Sequence, residues 1–561
     1  MAFWSTIAYR LREILKSMIG TRTIEQTLHV APAISSQMET AIQMWSDMYK
    51  GQAPWIHEPT FADPTRVVSL GLPALIASEK ARTALLEMNS EITTPTEEVQ
   101  VENPDYVEPE PDIFGNVLPS VQPPTITEDK PLTDTARAEY LESQYKKLKR
   151  QLRKQIEYGI AKGGLVIKPY VVMNKVTTED SIGMNSGEER DTATIEFDFI
   201  QADSFYPLAF DASGNITEAA FIQTKAEKDN IYRRLEYHKW QNNKVQIVNK
   251  AFKSTTKDNQ GDMSGIDLGQ EVPLTEVNEW KDLQSSTTIA NVVKPLFAYF
   301  KMPEANTIDT SSPLGVSGYS RAVSLIKDAD MQYSRLLWEY EAGEMAIDID
   351  RDAMNFQEGS DGQQHMVPNH LQARLFRKID LGESDTYQPY APSLRDASFV
   401  QGLNTILMRI EDVTGLSRGT ISDAAAEART ATELKILKQR SYQTNADIQQ
   451  AVEDVLRDTI YIMNAYCDLY EITPDGDYDV NFEWDDSIIV DVDTELGKRL
   501  TLMQNGLASK LETRMWYYGE TERQAQEALM QIDKETQETM EQNLAEQENF
   551  SNIANQNKEV K

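Results

Sequence analysis

The chain has 561 residues, 40% of them hydrophobic, and a formal net charge of −34. That length suits roughly three domains with several buried cores, and the apolar content excludes wholesale disorder. So negative a chain is not built mainly to grip nucleic acid through neutralised phosphates, although it suits one past which a duplex must slide, and it equally suits plain solubility.

The opening MAFWSTIAYRLREILKSMIG has an apolar stripe with Arg10, Arg12 and Lys16 but no signal-peptide core or cleavage site. It reads as a helix docked on its own domain, with an interfacial helix as the alternative. No stretch reaches the ~18 apolar residues of a membrane span. Residues 1–90 read as helical: APAISSQMETAIQMWSDMYKG stops at Gly51, and Leu72, Leu75, Ile76, Ala81, Leu85 and Leu86 recur at helical spacing. Residues 91–131 hold eight prolines and ten acidic residues against Lys130 alone, which predicts a mobile, exposed loop or extended insertion.

A helix is expected from Thr133 to Tyr158, with Leu141, Tyr145, Leu148, Leu152 and Ile156 as its apolar stripe. Its run KKLKRQLRK reads either as a nucleic-acid patch or as a solvated face. Short β-branched and aromatic runs follow from GGLVIKPYVV to KVQIVNKAFK. They are separated by turn signals at Asp211–Gly214–Asn215 and Gln241–Asn242–Asn243, and predict an antiparallel sheet in an α+β domain. A long helix from Tyr319, a compact mixed segment over 344–393, and a second helix come next. In that second helix Phe399, Leu403, Ile406, Ile410 and Val413 form a narrow stripe suited to one partner helix. The small, polar GLSRGTISDAAAEART reads as a loop. A very long helix runs from Thr430 to Tyr470, with Ile448, Val452, Val455, Ile462, Tyr466 and Leu469 on one stripe that turns polar at Thr444 and Ser441. A strand-like segment, two further helices and a frayed end close the chain.

Catalytic signatures are missing from this sequence. There is no phosphate loop, no H-E-x-x-H and no G-x-S-x-G. The histidines are scattered; His365 and His370 are the nearest pair, in a loop-like stretch. Cys467 is the only cysteine, which leaves no disulfide framework or thiolate metal site and fits assembly in a reducing cytoplasm. Asp485, Asp486, Asp491 and Asp493 form an acidic cluster that reads as strand-edge residues or, alternatively, as a Mg²⁺ or Ca²⁺ site. No catalytic residue, metal or cofactor is expected.

This order of elements resembles the tailed-bacteriophage portal family, in particular the head-to-tail connectors of long-tailed phages of Gram-positive hosts. IEYGIAKGGLVIKPYV and IEFDFIQADSFYPLAFDASGNITEAAFI resemble its wing. LGVSGYSRAVSLIKDADMQYSRLLWEYE resembles its first stem helix, with Asp330, Ser334 and Trp338–Glu339 in a D-x-x-x-S-x-x-x-E pattern. Thr430–Leu434 resembles the start of the helix after the tunnel loop, and WDDSIIVDVDTELGKRLTLMQNGLASK the following segment. The resemblance covers about 135–530; the 91–131 insert departs from it.

The resemblance implies an α+β, predominantly helical portal-type fold. Its parts would be an N-terminal helical part of the wing (1–90), the acidic insert (91–131), an α+β wing (132–317), stem helix 1 (318–343), clip (344–393), stem helix 2 (394–414), tunnel loop (415–429), long wing helix and strand segment (430–500), and crown with C-terminal tail (501–561). It implies a non-enzymatic ring of about twelve subunits at one capsid vertex of the virion, assembled in the host cytoplasm with no membrane. The ring would pass double-stranded DNA during packaging and ejection, and meet the terminase large subunit, a head-completion adaptor, and the major capsid and scaffold proteins. Gly415, Arg418, Gly419, Thr420, Ser422 and Arg429 would face DNA from the tunnel loop. The alternative for the two arginines is pairing with Asp423 and Glu427. Glu411 and Asp412 are candidates for the channel wall. The rival readings are a scaffold or minor head component, which should be mostly helical, and a metal-dependent DNA-processing enzyme using the Asp485–Asp493 acids.

Overall fold

The computed structural model describes residues 24–60, 65–86, 88–102, 125–179, 185–227, 230–254, 268–350, 356–358, 364–366, 376–379, 387–423, 431–484, 492–521, 524–526, 528–532 and 534. The chain divides into two compact units, residues 1–483 and 484–561, and mixes helices with sheets.

In the first unit, α1 (Ile24–Leu28), α2 (Ser36–Tyr49) and α3 (Leu72–Leu85) occupy the N-terminal stretch. Ser35 caps α2 by accepting from the Met38 N–H, and Met38, Ile42 and Trp45 are buried beneath it. Strand β1 (Met88–Thr93) pairs across the whole unit with β18 (Asp479–Trp484). The acidic insert begins and ends in strands, β2 (Thr96–Glu102) and β3 (Thr125–Pro131), paired antiparallel from Thr96↔Pro131 to Glu102↔Thr125. Six of its eight prolines fall between these strands, so the paired runs keep every backbone donor except that of Pro131 at the end of β3.

Helix α4 (Ala136–Lys162) buries the expected stripe: Leu141, Tyr145, Leu148, Leu152 and Ile156 are each at most 2% exposed. Gly163 closes it in the left-handed conformation and meets Gly315 so tightly that a Cβ on either residue would strike the other's carbonyl. The strand-rich region is antiparallel, as its alternation predicts. Strands β4 (Gly164–Glu179) and β5 (Asn185–Gln201) share one sheet with β12 (Ala298–Lys301), in the order β12-β4-β5. A second sheet, in the order β10-β9-β8-β7-β6, contains β6 (Phe205–Phe210), β7 (Ile216–Glu227), β8 (Asn230–Gln241), β9 (Lys244–Ser254) and β10 (Gln270–Val272); β11 (Ser286–Ala290) also pairs with β9. Asn242 and Asn243 both take positive φ, the two-residue turn whose twist matches its strands. Asp211 holds the β6–β7 turn by accepting from the Ser213 and Asn215 N–H groups.

Helix α5 (Val323–Ala342) leads into short strands. Here β13 (Ala346–Asp350) pairs with β16 (Phe376–Ile379) and β17 (Tyr387–Tyr390), and β14 (Phe356–Glu358) with β15 (Gln364–Met366). Helix α6 (Asp396–Thr414) returns along α5, and α7 (Ala431–Leu469) extends for 39 residues, about 58 Å at helical rise. The expected α6 stripe is only partly covered. Ile410 is buried and Phe399, Leu403 and Ile406 are half-buried, while Val413 stands in solvent. On α7, Ile448, Val452, Val455, Ile462 and Tyr466 are buried, whereas Leu469 at its C-terminal end is exposed.

In the second unit, α8 (Val492–Gln504) and α9 (Lys510–Tyr518) join through a turn at Gly506. Ser509 and Glu512 form a capping box, and the Arg499 guanidinium stacks 4.4 Å over Trp516. Asp485, Asp486, Asp491 and His370 lie outside the described residues. Among the described residues no cluster of His, Cys, Asp or Glu could hold a metal, and no helix is long and apolar enough to cross a membrane.

Between the two large sheets sits a buried charge cluster. Glu236 accepts from Lys168 (2.8 Å), Arg234 (2.8 Å) and His238 Nε2 (2.7 Å). Burial alone would raise the Glu236 carboxyl, but Lys168, His238 and Arg234 together outweigh it and hold it well below the usual range. Burial lowers His238, so its neutral ring is the donor. A depressed carboxyl stabilises the fold fully above its unfolded value of about 4.3 and loses that contribution as pH falls. Melting temperature should therefore drop as pH falls from about 4 towards 3. Glu236→Gln should flatten that acid limb and cost about 3 kcal/mol at neutral pH, because the Lys168 and Arg234 charges stay buried without their carboxylate.

Candidate functional site: a loop anchored on the end of a long helix

Helix α6 ends by reversing direction. Gly415 takes φ +77° and its N–H returns to the Glu411 carbonyl. The αL conformation favours glycine here, and so does packing, since a Cβ would collide with Thr444 Oγ1 on α7. Thr444 belongs to the polar continuation of the α7 stripe, so that end of the seam contacts the loop rather than a dry core. A cavity of about 290 Å³ opens beside the reversal, bordered by Glu304, Arg321, Asp412, Thr444 and Asp447.

The next residues curl back over the last turn of α6 around one carboxylate. Glu411 is fully buried. Its Oε1 accepts from the N–H groups of Gly419 (3.1 Å), Ile421 (2.6 Å) and Ser422 (2.9 Å), and Oε2 from the Ser422 hydroxyl (2.7 Å). Gly419 takes φ +90°, which turns its N–H towards the carboxylate. Two turns earlier, Asn404 clamps the far end. Its Oδ1 accepts the Asp423 N–H (2.8 Å) and its Nδ2 donates to the Asp423 carbonyl (3.1 Å). Outside, Arg418 makes a two-pronged pair with Asp412, Nε at 3.1 Å and Nη2 at 2.9 Å, and Arg409 lies 3.5 Å from the same carboxylate.

Several expected site residues are thereby redirected. Glu411, a candidate wall residue, is interior, because the loop amides need an acceptor and the helix end supplies one. Ser422, expected to face DNA, is buried against Glu411. Asp412 is a partner for Arg418, which pairs with it rather than with Asp423; Glu427 lies outside the described residues. Gly415 and Gly419 act through backbone geometry. Thr420 is exposed, its hydroxyl donating to the Ser417 carbonyl (2.6 Å). Arg429 lies outside the described residues.

The family model for the phage portal protein, SPP1 Gp6-like, matches residues 121–542. The chain belongs to this family. The match runs from within the acidic insert to beyond α9, so it takes in α5, the loop and α7 in their expected order. This portal chain is thus a structural component of a bacteriophage virion at the head–tail connection. No curated protein matches it.

Three positioning residues of the portal chain, Asp330, Ser334 and Glu339, sit in the D-x-x-x-S-x-x-x-x-E run of α5, and their roles were not legible. Asp330 accepts from Trp55 Nε1 (2.9 Å) and the Leu70 N–H (2.8 Å). Ser334 accepts from the Val68 N–H (2.9 Å). Glu339 takes three donors from Arg395, which fixes the start of α6 against the end of α5. The i, i+4 spacing of Asp330 and Ser334 on a helix was the available signal; the segment they hold, 55–70, lies far away in sequence.

Glu411→Ala removes the acceptor for three loop amides. Hydrogen exchange at Gly419, Ile421 and Ser422 should accelerate at least about tenfold, and stability should fall by about 3 kcal/mol. Unchanged exchange at these amides would mean that the carboxylate does not hold the loop.

Proposed function

We propose that this portal chain is one subunit of a closed ring of about twelve copies at a single capsid vertex, and that double-stranded DNA enters and leaves through its axis. Helices α5 and α6 form the stem around the channel, and the segment 415–429 forms its constriction. The 344–393 segment is the clip that docks the terminase large subunit and later a head-completion adaptor. The 132–317 wing meets the major capsid and scaffold proteins, and 501–561 is the crown. ATP hydrolysis belongs to the terminase.

The observation that carries this reading is the incomplete cover of α6. Its sequence FVQGLNTILM is largely apolar, yet no residue from Asp396 to Arg409 is fully buried. Trp338 and Met345, at the adjoining end of α5, are also more than 60% exposed. A lone subunit leaves this surface in water, whereas a second copy related by rotation covers it, and rotation that closes makes a ring. The β4–β12 body argues against a scaffold, which should be mostly helical.

Cys467 is buried, and burial pushes its thiol up to about 11, so it is a poor competitor for thiol reagents. Thr420→Cys therefore offers one reactive thiol per subunit on the exposed tip of the loop. Gold-labelled Thr420→Cys particles seen by negative stain should be rings with an opening wide enough for a duplex and gold clustered on the axis. Gold on the outer rim, or particles without an opening, would defeat the assignment.

A further inference from the structure

The run KKLKRQLRK on α4 belongs neither to the loop nor to the stem. It places six basic residues between Lys146 and Arg153–Lys154 with no acid among them, in a chain of net charge −34. The structure separates them by face. Leu148 and Leu152 point inward, and Lys149 is engaged with the Ser90 carbonyl (2.5 Å). Lys146, Lys147, Arg150, Arg153 and Lys154 all stand on the exposed side of the helix. Lys146 lies 3.3 Å from Glu142, and Lys147 only at the 4.0 Å limit from Glu196, in a pair about half exposed on both sides. Among the described residues Arg150, Arg153 and Lys154 make no ion pair; Lys154 lies 5.9 Å over the Tyr158 ring.

We propose that this face of α4 binds the phosphate backbone of duplex DNA, without reading its sequence. Lys147, Arg150 and Lys154 lie at i, i+3 and i+7, a span of about 10 Å. With one phosphate per ~3.4 Å of axis on each strand, that span faces about three phosphates. The acidity of the rest of the chain does not cancel the attraction, because charges farther away than the ~8 Å Debye length at physiological salt are largely screened. The loop offers no comparable contact among its described residues, since Arg418 is already held by Asp412. The inference rests on the portal reading only for naming duplex DNA as the polyanion.

The test uses the full chain and a short fluorescent duplex of arbitrary sequence, with anisotropy followed over a range of salt. The wild-type protein should bind at low salt with a linear dependence of log K on log salt. Lys147→Gln/Arg150→Gln/Lys154→Gln keeps helix propensity and the buried face. It should weaken binding at least tenfold and make the slope shallower by about 2.7, three contacts at about 0.9 each. Arg418→Gln should bind as the wild type does. No binding by the wild type, an unchanged slope in the triple variant, or displacement of the duplex by the acidic 91–131 peptide alone would overturn the proposal. Particle mass, measured alongside, separates the two readings. Intact rings that ignore DNA at this face sink this inference alone, and a failure to form rings sinks the portal assignment. If the triple variant loses ring mass without any DNA effect, the face is a subunit contact and the proposal is wrong.

Discussion

A single buried carboxylate organises the region on which the functional reading depends. An ionised group taken out of water is costly unless its lone pairs are filled, and Glu411 is both fully buried and filled. The donors are the amides of the loop itself, so the loop can satisfy the charge only by folding back over the last turn of α6. The left-handed turns at Gly415 and Gly419 make that path possible, and the Asn404 clamp fixes where the described segment ends. The first half of the expected tunnel loop is therefore an extension of α6 rather than an independent strap. Any motion of α6 carries residues 415–423 with it.

Polar contacts from the N-terminal helices in turn tie α5 and α7 into the first unit. Lys80 on α3 donates to Glu304 and to the Gly318 carbonyl, both at 2.8 Å. Thr83 donates to Asn445, and Gln449 donates to the Ala84 carbonyl, so the same short helix also holds α7. Asp330 and Ser334 bind the preceding chain at Val68 and Leu70 to the side of α5. Residues 55–85 precede the span of the family match, yet they bridge the start of α5 to the middle of α7. Helices α5 and α7 thus share one N-terminal brace, which makes α3 the natural route by which a displacement of one reaches the other.

The elements set by periodicity were legible. The α4 stripe, the antiparallel alternation from β4 to β9 and the Asn242–Asn243 turn each follow from local spacing that no distant contact overrides. What stayed hidden was direction. A helix-terminal acid such as Glu411 reads as exposed, because its burial depends on amides eight to eleven residues later. Arg418 has acids on both sides in sequence; the reversal at Gly415 brings Asp412 beside it and leaves Asp423 with Asn404. The insert looked structureless because proline and like charge both oppose pairing. Its ends, which hold one proline between them, pair nonetheless. The α5 motif was recognised as a phrase, but the partners that give Asp330 and Ser334 their roles lie more than two hundred residues away.

On the proposed reading, the same geometry would let an acidic chain hold a charged loop near a polyanion without gripping it. Arg418 and Asp412 cancel each other, and the Glu411 charge is absorbed by backbone dipoles. Apart from the exposed Asp423, the described part of the loop presents peptide groups and the hydroxyls of Ser417 and Thr420. Such a surface neither binds a phosphate strongly nor repels it strongly, and a duplex moving past it meets little variation in energy from one phosphate to the next. Uncompensated arginines at the same position would create a well at every phosphate, each to be climbed out of in turn. Internal pairing is thus a different route to low friction from a uniformly acidic wall. It leaves strong phosphate binding to surfaces, such as the outer face of α4, whose cations the fold does not neutralise.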